Sequence, residues 1–272
     1  YKHALECEPT YVSALHNLGI AYLNTGKPEA AEDYCRRILK LQPDHAQAMT
    51  NLGSALAGQR HTEEAISHYR QALSLKPDYA EAHFNLGNAM RAQGVFEQAI
   101  ESYQRAITLD PNHADAHFNL ASTCLALGQF EPGWKAYQWQ WRRKDAKPRL
   151  FTPSPWGGSD LAGHSIFLHA EQGLGDELFF LRFAGALRHR GAGNIVYLAN
   201  PKITPLLQRS TVVDRIAPVE ENPSKESLIL SVGDLPCLLE MKHVEDIPPP
   251  ITLPVLADRL AEMQKHLAAL GP

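Results

Sequence analysis

The sequence is poor in cysteine, and its four thiols (Cys7, Cys35, Cys124, Cys237) stand far apart with no CxxC spacing. That scatter argues against a zinc site or a disulfide framework and points to free thiols in a reducing, cytoplasmic compartment. No apolar run approaches the ~20 residues a membrane helix needs. No secretory signal is visible, although the chain starts at Tyr1. Neither sign of charge dominates: 26 Lys and Arg stand against 30 Asp and Glu, a formal charge of -4, which argues against a nucleic-acid coat protein. Hydrophobic residues make up 44% and charged residues 21%, close to the globular average, so general disorder is excluded. A length of 272 residues suits two domains.

What the chain has in abundance is internal repetition. Asn-Leu-Gly occurs at Asn17, Asn51 and Asn85, and Asn119-Leu120-Ala121 continues the series in steps of 34 residues. Pro9, Pro43, Pro77 and Pro111 share the period. So do Ala31, Ala65 and Ala99, with Gly133 in the fourth place, and Tyr69, Tyr103 and Tyr137, with Cys35 in the first. Gly26, Gly94 and Gly128 form another column, interrupted by Arg60. Within one unit, residues 80–93 carry apolar or small residues at helical spacing, Gly94 stops the helix, 97–109 form a second amphipathic helix, and Asp110-Pro111 ends it. Small residues at 87 and 99 allow the two helices to approach closely. Each unit is a helix-turn-helix with one face left to bury on its neighbour.

This pattern resembles the tetratricopeptide repeat, with four repeats from residue 12 to 145 and the tail of an earlier one at 1–11. The chain is accordingly expected to be a piece of a longer protein. The closest resemblance is to the array of the O-linked N-acetylglucosamine transferases. That resemblance implies an asparagine ladder, Asn17, Asn51, Asn85 and Asn119, that holds the backbone of an extended peptide or protein segment in a concave groove. An amide suits the task because it donates and accepts hydrogen bonds. Alternatively, each asparagine ties neighbouring helices together or caps a turn. Phe84 and Phe118 are candidates for an apolar lining beside the ladder or for ordinary repeat packing. His83 and His117 share a column two residues before their asparagines, with no further ligand in register for a metal.

Residues 134–151 cluster Trp134, Trp139 and Trp141 with Tyr137, followed by Arg142, Arg143, Lys144, Lys147 and Arg149. Interleaved aromatic and basic residues suit a phosphate patch. The stronger reading is cations that complement a helix C-terminus and indoles that seal the last repeat against the next domain. Prolines and glycines from 148 to 158 then break the periodicity, and 146–163 reads as a linker.

From residue 164 the pattern becomes α/β. Strands are expected at 164–170, 194–199, 212–219 and 227–232, with helices at 176–190, 201–209 and 255–270, in a parallel sheet with right-handed crossovers, Rossmann-like in character. The glycine loop 171–176 falls at the strand ends where such sheets bind ligands. It lacks the third glycine and the acidic residue of a dinucleotide fingerprint, and it has no P-loop lysine. A plain strand-to-helix turn is the simplest alternative.

Trp156-Gly157-Gly158 with Leu161 and Gly163, followed by residues 169–184 (HAEQGLGDELFFLRFA), resembles bacterial tetratricopeptide proteins with a C-terminal glycosyltransferase-like domain of the GT-B, heptosyltransferase type. The resemblance implies that 164–272 is the N-terminal, acceptor-side half of such a domain. Asp176 would be the catalytic base, and Glu171, Gln172, Gly173 and Gly175 would contact the substrate. The donor, a sugar nucleotide, would be held by a second half not contained in 1–272, and no resident cofactor or metal is expected. The parent protein would transfer a sugar, with this piece inactive alone. The competing reading is a non-catalytic protein–protein interaction scaffold, in which Asp176 merely caps the following helix.

Overall fold

The computed structural model describes residues 1–146, 149–158, 160–169, 173–218, 220–224, 227–254 and 256–269. The chain divides into two compact units, Tyr1–Lys144 and Asp145–Pro272.

The first unit is all-helical: α1 (Lys2–Cys7), α2 (Val12–Asn24), α3 (Pro28–Leu41), α4 (Ala46–Gly58), α5 (Thr62–Leu75), α6 (Ala80–Ala92), α7 (Phe96–Leu109), α8 (Ala114–Ala126) and α9 (Phe130–Tyr137), closed by a 3-10 turn over Gln138–Arg142. The helices pack as successive antiparallel pairs, and each pair packs on the next. The turn between the helices of a pair needs a left-handed residue. Gly26, Gly94 and Gly128 supply it at φ 66°, 78° and 73°, and Arg60 is forced into the same region at φ 67°. The small-residue columns have a steric cause. A Cβ on Gly87 would lie 2.7 Å from Tyr103 Cε1, and one on Gly53 would lie 2.7 Å from Tyr69 Cε1. Gly133 replaces the column alanine because Leu125 Cδ2 occupies the space a Cβ would take. One continuous core runs from Cys35 through Leu52, Tyr69, Leu86, Tyr103 and Leu120 to Ala136. Cys35 and Cys124 are buried in the array, and none of the four cysteines is in a disulfide.

The second unit holds β1 (Ile166–His169), α10 (Leu174–Leu181), α11 (Ala184–His189), β2 (Ile195–Leu198), α12 (Thr204–Leu207), β3 (Arg215–Ala217), β4 (Leu228–Ser231), α13 (Leu235–Leu238) and α14 (Ala257–Ala269). The four strands make an all-parallel sheet in the order β3-β2-β1-β4. β1 and β2 are buried along their whole length, as expected of a parallel sheet covered on both faces. The expected strand at 212–219 shortens to β3, and the expected helix 176–190 is two helices that meet at Arg182 and Phe183. The segment read as a linker is docked rather than free. Ser154 N donates to Ile229 O at 2.8 Å and Ser154 Oγ accepts from Ile229 N at 2.9 Å, along β4. Phe151 packs edge-on against Phe167 and His169, and Trp156 and Leu161 are buried.

Candidate binding groove and sheet edge

The first helices of the repeats, α2, α4, α6 and α8, are neighbours in sequence of pairs, and the asparagine column runs along their seam. All four asparagines are half-buried. Asn119 Nδ2 donates to Asn88 Oδ1 on α6 at 2.7 Å. Asn85 Nδ2 reaches Ser54 Oγ on α4 and Glu81 Oε1 one turn back, both at 3.4 Å. Each receiving group is also held from behind: Tyr103 donates to Asn88 Oδ1 at 2.9 Å, and Tyr69 to Ser54 Oγ at 3.2 Å. Burial pushes the Tyr69 phenol up to about 12. The receiving position lies 31 residues before each asparagine. For Asn51 that position is Ile20, which offers no acceptor. Among the described residues, the side chains of Asn17 and Asn51 make no hydrogen bond. The column therefore splits. Asn85 and Asn119 use their N–H groups to tie repeats together, while Asn17 and Asn51 keep both amide functions unused.

Phe84 packs against His113 (centroids 4.6 Å) and Tyr103, and Phe118 lies between Tyr137 and the Arg143 guanidinium, 4.2 Å above its ring. Both phenylalanines are half-buried at the repeat junctions. His83 and His117 bond the carbonyls of Pro77 (2.9 Å) and Pro111 (3.1 Å), pinning each helix to the preceding turn. Among the described residues no cluster of three metal-ligating side chains occurs. Sequence reasoning missed the caps: Nδ1 of His45 and of His113 accepts from Ala48 N and Ala116 N at the starts of α4 and α8. His113 Nε2 then faces Glu81 at 3.8 Å, and that carboxylate raises its pKa. Three arginines of the basic run beyond α9 are engaged locally, while Lys147 lies outside the described residues. Arg142 stacks on Trp139, Trp139 stacks on His117 at 3.9 Å, and Arg143 Nε donates to Asp115 at 3.0 Å. Arg149 pairs through Nη2 with the nearly buried Asp234.

In the second unit, the strand order makes the β1/β4 boundary the point where chain direction around the sheet reverses. His169 and Ser231 close these strands side by side, 0% and 1% exposed. Glu171 and Gln172 lie outside the described residues. The loop is shorter than the sequence suggested. Gly173 is the N-cap of α10, with an ordinary φ of -70°, so Gly175 and Asp176 belong to the first helical turn. Asp176 is therefore not the N-cap. It is exposed, and a Cβ on Gly175 would meet nothing within 4 Å, so the surface above this turn is open.

The buried carboxylate is its neighbour, Glu177, 2% exposed. Its Oε1 accepts from the Tyr197 hydroxyl at 2.6 Å and from Asn200 N at 3.0 Å, clamping α10 to the C-terminal end of β2. Burial, followed by the Glu177 charge, drives the Tyr197 phenol far above its ordinary pKa. A signal for Glu177 existed in the sequence: it shares the 177, 180, 181, 184 helical face with Phe180, Leu181 and Ala184, all buried. Near this edge, a cavity of about 410 Å³ opens at the C-terminal ends of β2 and β3, lined by Ala199, Thr204, Gln208, Ile216 and Glu220 among others. Among the described residues no helix is long and apolar enough to cross a membrane.

Family comparison assigns the first unit. Profiles described as tetratricopeptide repeat match residues 10–78 and 56–101, and one described as TPR repeat matches residues 87–128. No curated protein matches the chain. Among solved structures, the crystal structure of MamA is 27% identical, covering 51% of this chain and 81% of its own, with a TM-score of 0.46. A pilF structure from Pseudomonas aeruginosa is 23% identical, covering 51% of this chain and 63% of its own, at 0.46. A Thermobaculum terrenum O-GlcNAc transferase mutant is 23% identical over 78% of this chain and 42% of its own, at 0.47. Residues 10–128 are thus tetratricopeptide repeats, which suggest a protein–protein interaction scaffold, followed by a small α/β unit with a parallel four-stranded sheet.

Proposed function

We propose that the repeats hold an extended polypeptide segment along the seam of α2, α4, α6 and α8, with Asn17, Asn51, Asn85 and Asn119 as rungs and Phe84 and Phe118 as apolar lining. The observation that carries this reading is the unused hydrogen-bonding capacity of the column. Asn17 and Asn51 are half-buried with no side-chain partner among the described residues, and such polar groups gain from a ligand that pairs them. Packed helices stand ~8–10 Å apart, and an extended chain advances ~3.3 Å per residue, so one rung serves every third peptide residue. The test is a random-peptide display selection against the full chain, followed by fluorescence anisotropy with the selected peptide. Replacing Asn17 and Asn51 together by Ala removes two pairs of about 1 kcal/mol each, so the peptide should bind roughly 30-fold more weakly. Wild-type affinity in that variant would dismiss the ladder.

The second half of the proposal is that the α/β unit is the acceptor side of a GT-B-type sugar transferase. In this reading Asp176 is the base, Glu171, Gln172, Gly173 and Gly175 are the substrate contacts, and a sugar nucleotide is the donor. The exposed Asp176, on the helix turn that follows the central strand, supports this, because a base must reach an acceptor hydroxyl. In a transferring protein that contains this chain, Asp176→Asn should abolish sugar transfer and leave peptide binding unchanged. Undiminished turnover would leave the scaffold reading alone.

A further inference from the structure

A second cavity, of about 420 Å³, lies at the other end of the sheet. Its walls come from the α10–α11 face (Arg182, Gly185, His189), from Ser210 and Thr211, and from the proline segment Pro248–Pro250. His189 precedes β2, and Ser210 and Thr211 precede β3, so this site opens at the N-terminal edge of the strands, away from Asp176.

The cavity is built of donors. Arg182 is half-buried with its guanidinium 4.5 Å over the Phe179 ring. Its Nη1 donates to Pro248 O at 3.4 Å, and its Nε is buried with no acceptor. Among the described residues no carboxylate pairs with Arg182 and none lines the cavity. The neighbouring Arg188 is different: its charge is met by Asp214 at 2.9 Å. Ser210 Oγ already accepts from Val212 N, so its own O–H points elsewhere to donate, and Thr211 and His189 add donors. The proline segment has no N–H and offers a flat apolar wall, with Ala186 and Ile251 beside it.

A half-buried cation without a counter-charge is costly unless an anion completes it. The geometry points to a binding site for a phosphate monoester of a ring-bearing small molecule. The tetrahedral dianion takes the Arg182 fork and the hydroxyl donors, and the ring packs on the prolines. The site is independent of the chemistry proposed at Asp176.

Isothermal titration of the full chain with phenyl phosphate tests it, with benzoate and inorganic phosphate as comparison arms. Phenyl phosphate should bind saturably and more tightly than either. Arg182→Gln should weaken it by about tenfold or more through loss of charge-assisted hydrogen bonds. Because Arg182→Gln touches partly buried packing, Gly185→Leu is the second variant. A Cβ there meets nothing within 4 Å and Gly185 lines the cavity, so a larger side chain starts into open space on the cavity wall. It should abolish binding with an unchanged far-UV spectrum, and Asp176→Asn should leave phenyl phosphate affinity unaltered. Benzoate bound as tightly as phenyl phosphate would overturn the phosphate assignment. Absence of saturable binding, or full affinity in Gly185→Leu, would overturn the site.

Discussion

The glycine column permits one substitution to be tested in several equivalent places. A methyl at Gly87 would sit 2.7 Å from Tyr103 Cε1, 2.8 Å from Cδ1 and 3.2 Å from Ala99 O. Carbon contacts prefer about 3.5–4.0 Å, so the ring or its helix must recede by roughly 1 Å. Tyr103 is 0% exposed and its hydroxyl is tied to Asn88, which leaves the ring little freedom to yield. Overpacking of this kind costs about 1–3 kcal/mol, against a helix-propensity gain of about 1 kcal/mol for Gly→Ala. At Gly19 the facing residue is Cys35 instead of tyrosine, and the nearest atom is its Sγ at 3.5 Å, an ordinary contact. The propensity gain is common to both sites and cancels in the difference. Gly19→Ala should be neutral or stabilising, Gly87→Ala and Gly53→Ala destabilising, and the gap about 1–3 kcal/mol. Urea unfolding of the full chain, followed at 222 nm, measures it. Equal midpoints for Gly19→Ala and Gly87→Ala would refute the steric account of the column.

Other outcomes follow from the same repeat register. Arg60→Gly should stabilise the array by up to about 1 kcal/mol in the same unfolding assay, because it removes a left-handed non-glycine residue from a turn built by glycine elsewhere. Tyr197→Phe should destabilise the second unit by about 1–3 kcal/mol, because the buried Glu177 carboxylate keeps only Asn200 N as a partner; thermal melting with no loss would contradict that. His16, in the column that holds Phe84 and Phe118, has a pKa lowered from 6.5 by burial and by His45. The unfolded chain thus takes up the proton first as pH falls through 6.5, and stability falls with it. His16→Phe should flatten the urea midpoint between about pH 5 and 7, with a residual slope set by His117, whose pKa is also lowered by burial, and by His113, whose raised pKa acts in the opposite sense. An unchanged slope would show that His16 does not titrate as its burial implies.

The array was legible because each of its columns encodes a local constraint. Positive φ reads as glycine, close approach reads as glycine or alanine, and helix ends read as proline. Where the alanine column breaks, the structure supplies the reason in the facing residue, Leu125 opposite Gly133. Arg60 is the exception that a glycine rule cannot foresee, since the turn is imposed by its neighbours on both sides. The histidine caps were missed because His45 and His113 act through Nδ1 in a role usually filled by Ser, Thr, Asp or Asn. In the second unit the strands could be placed but their ends could not. The expected strand over 212–219 contains the loop that leads into β3, and hydrophobicity alone does not separate the two.

The asparagine column and the α10 carboxylates pose the same problem. In each, identical or adjacent residues take opposite roles, and the deciding partner lies far away in sequence. Asn51 and Asn85 are equivalent by register, yet Asn85 meets Ser54 where the equivalent position for Asn51 is Ile20, which has no acceptor side chain, so among the described residues one ties repeats together and the other is left with its amide unspent. Asp176 and Glu177 are consecutive, but helical geometry turns them about 100° apart. Glu177 points to the sheet and meets Tyr197, while Asp176 is left facing solvent. A buried carboxylate that is already spent on the Tyr197 hydroxyl and Asn200 N cannot serve as a freely accessible base, and an exposed one adds nothing to the core. The division of labour therefore leaves Asp176 accessible to solvent and Glu177 as the group that fixes α10 on the sheet. The two substitutions should separate cleanly: Asp176→Asn leaves the melting transition of the full chain where it is, whereas Glu177→Ala strands the buried Tyr197 hydroxyl, removes the partner of Asn200 N and lowers it.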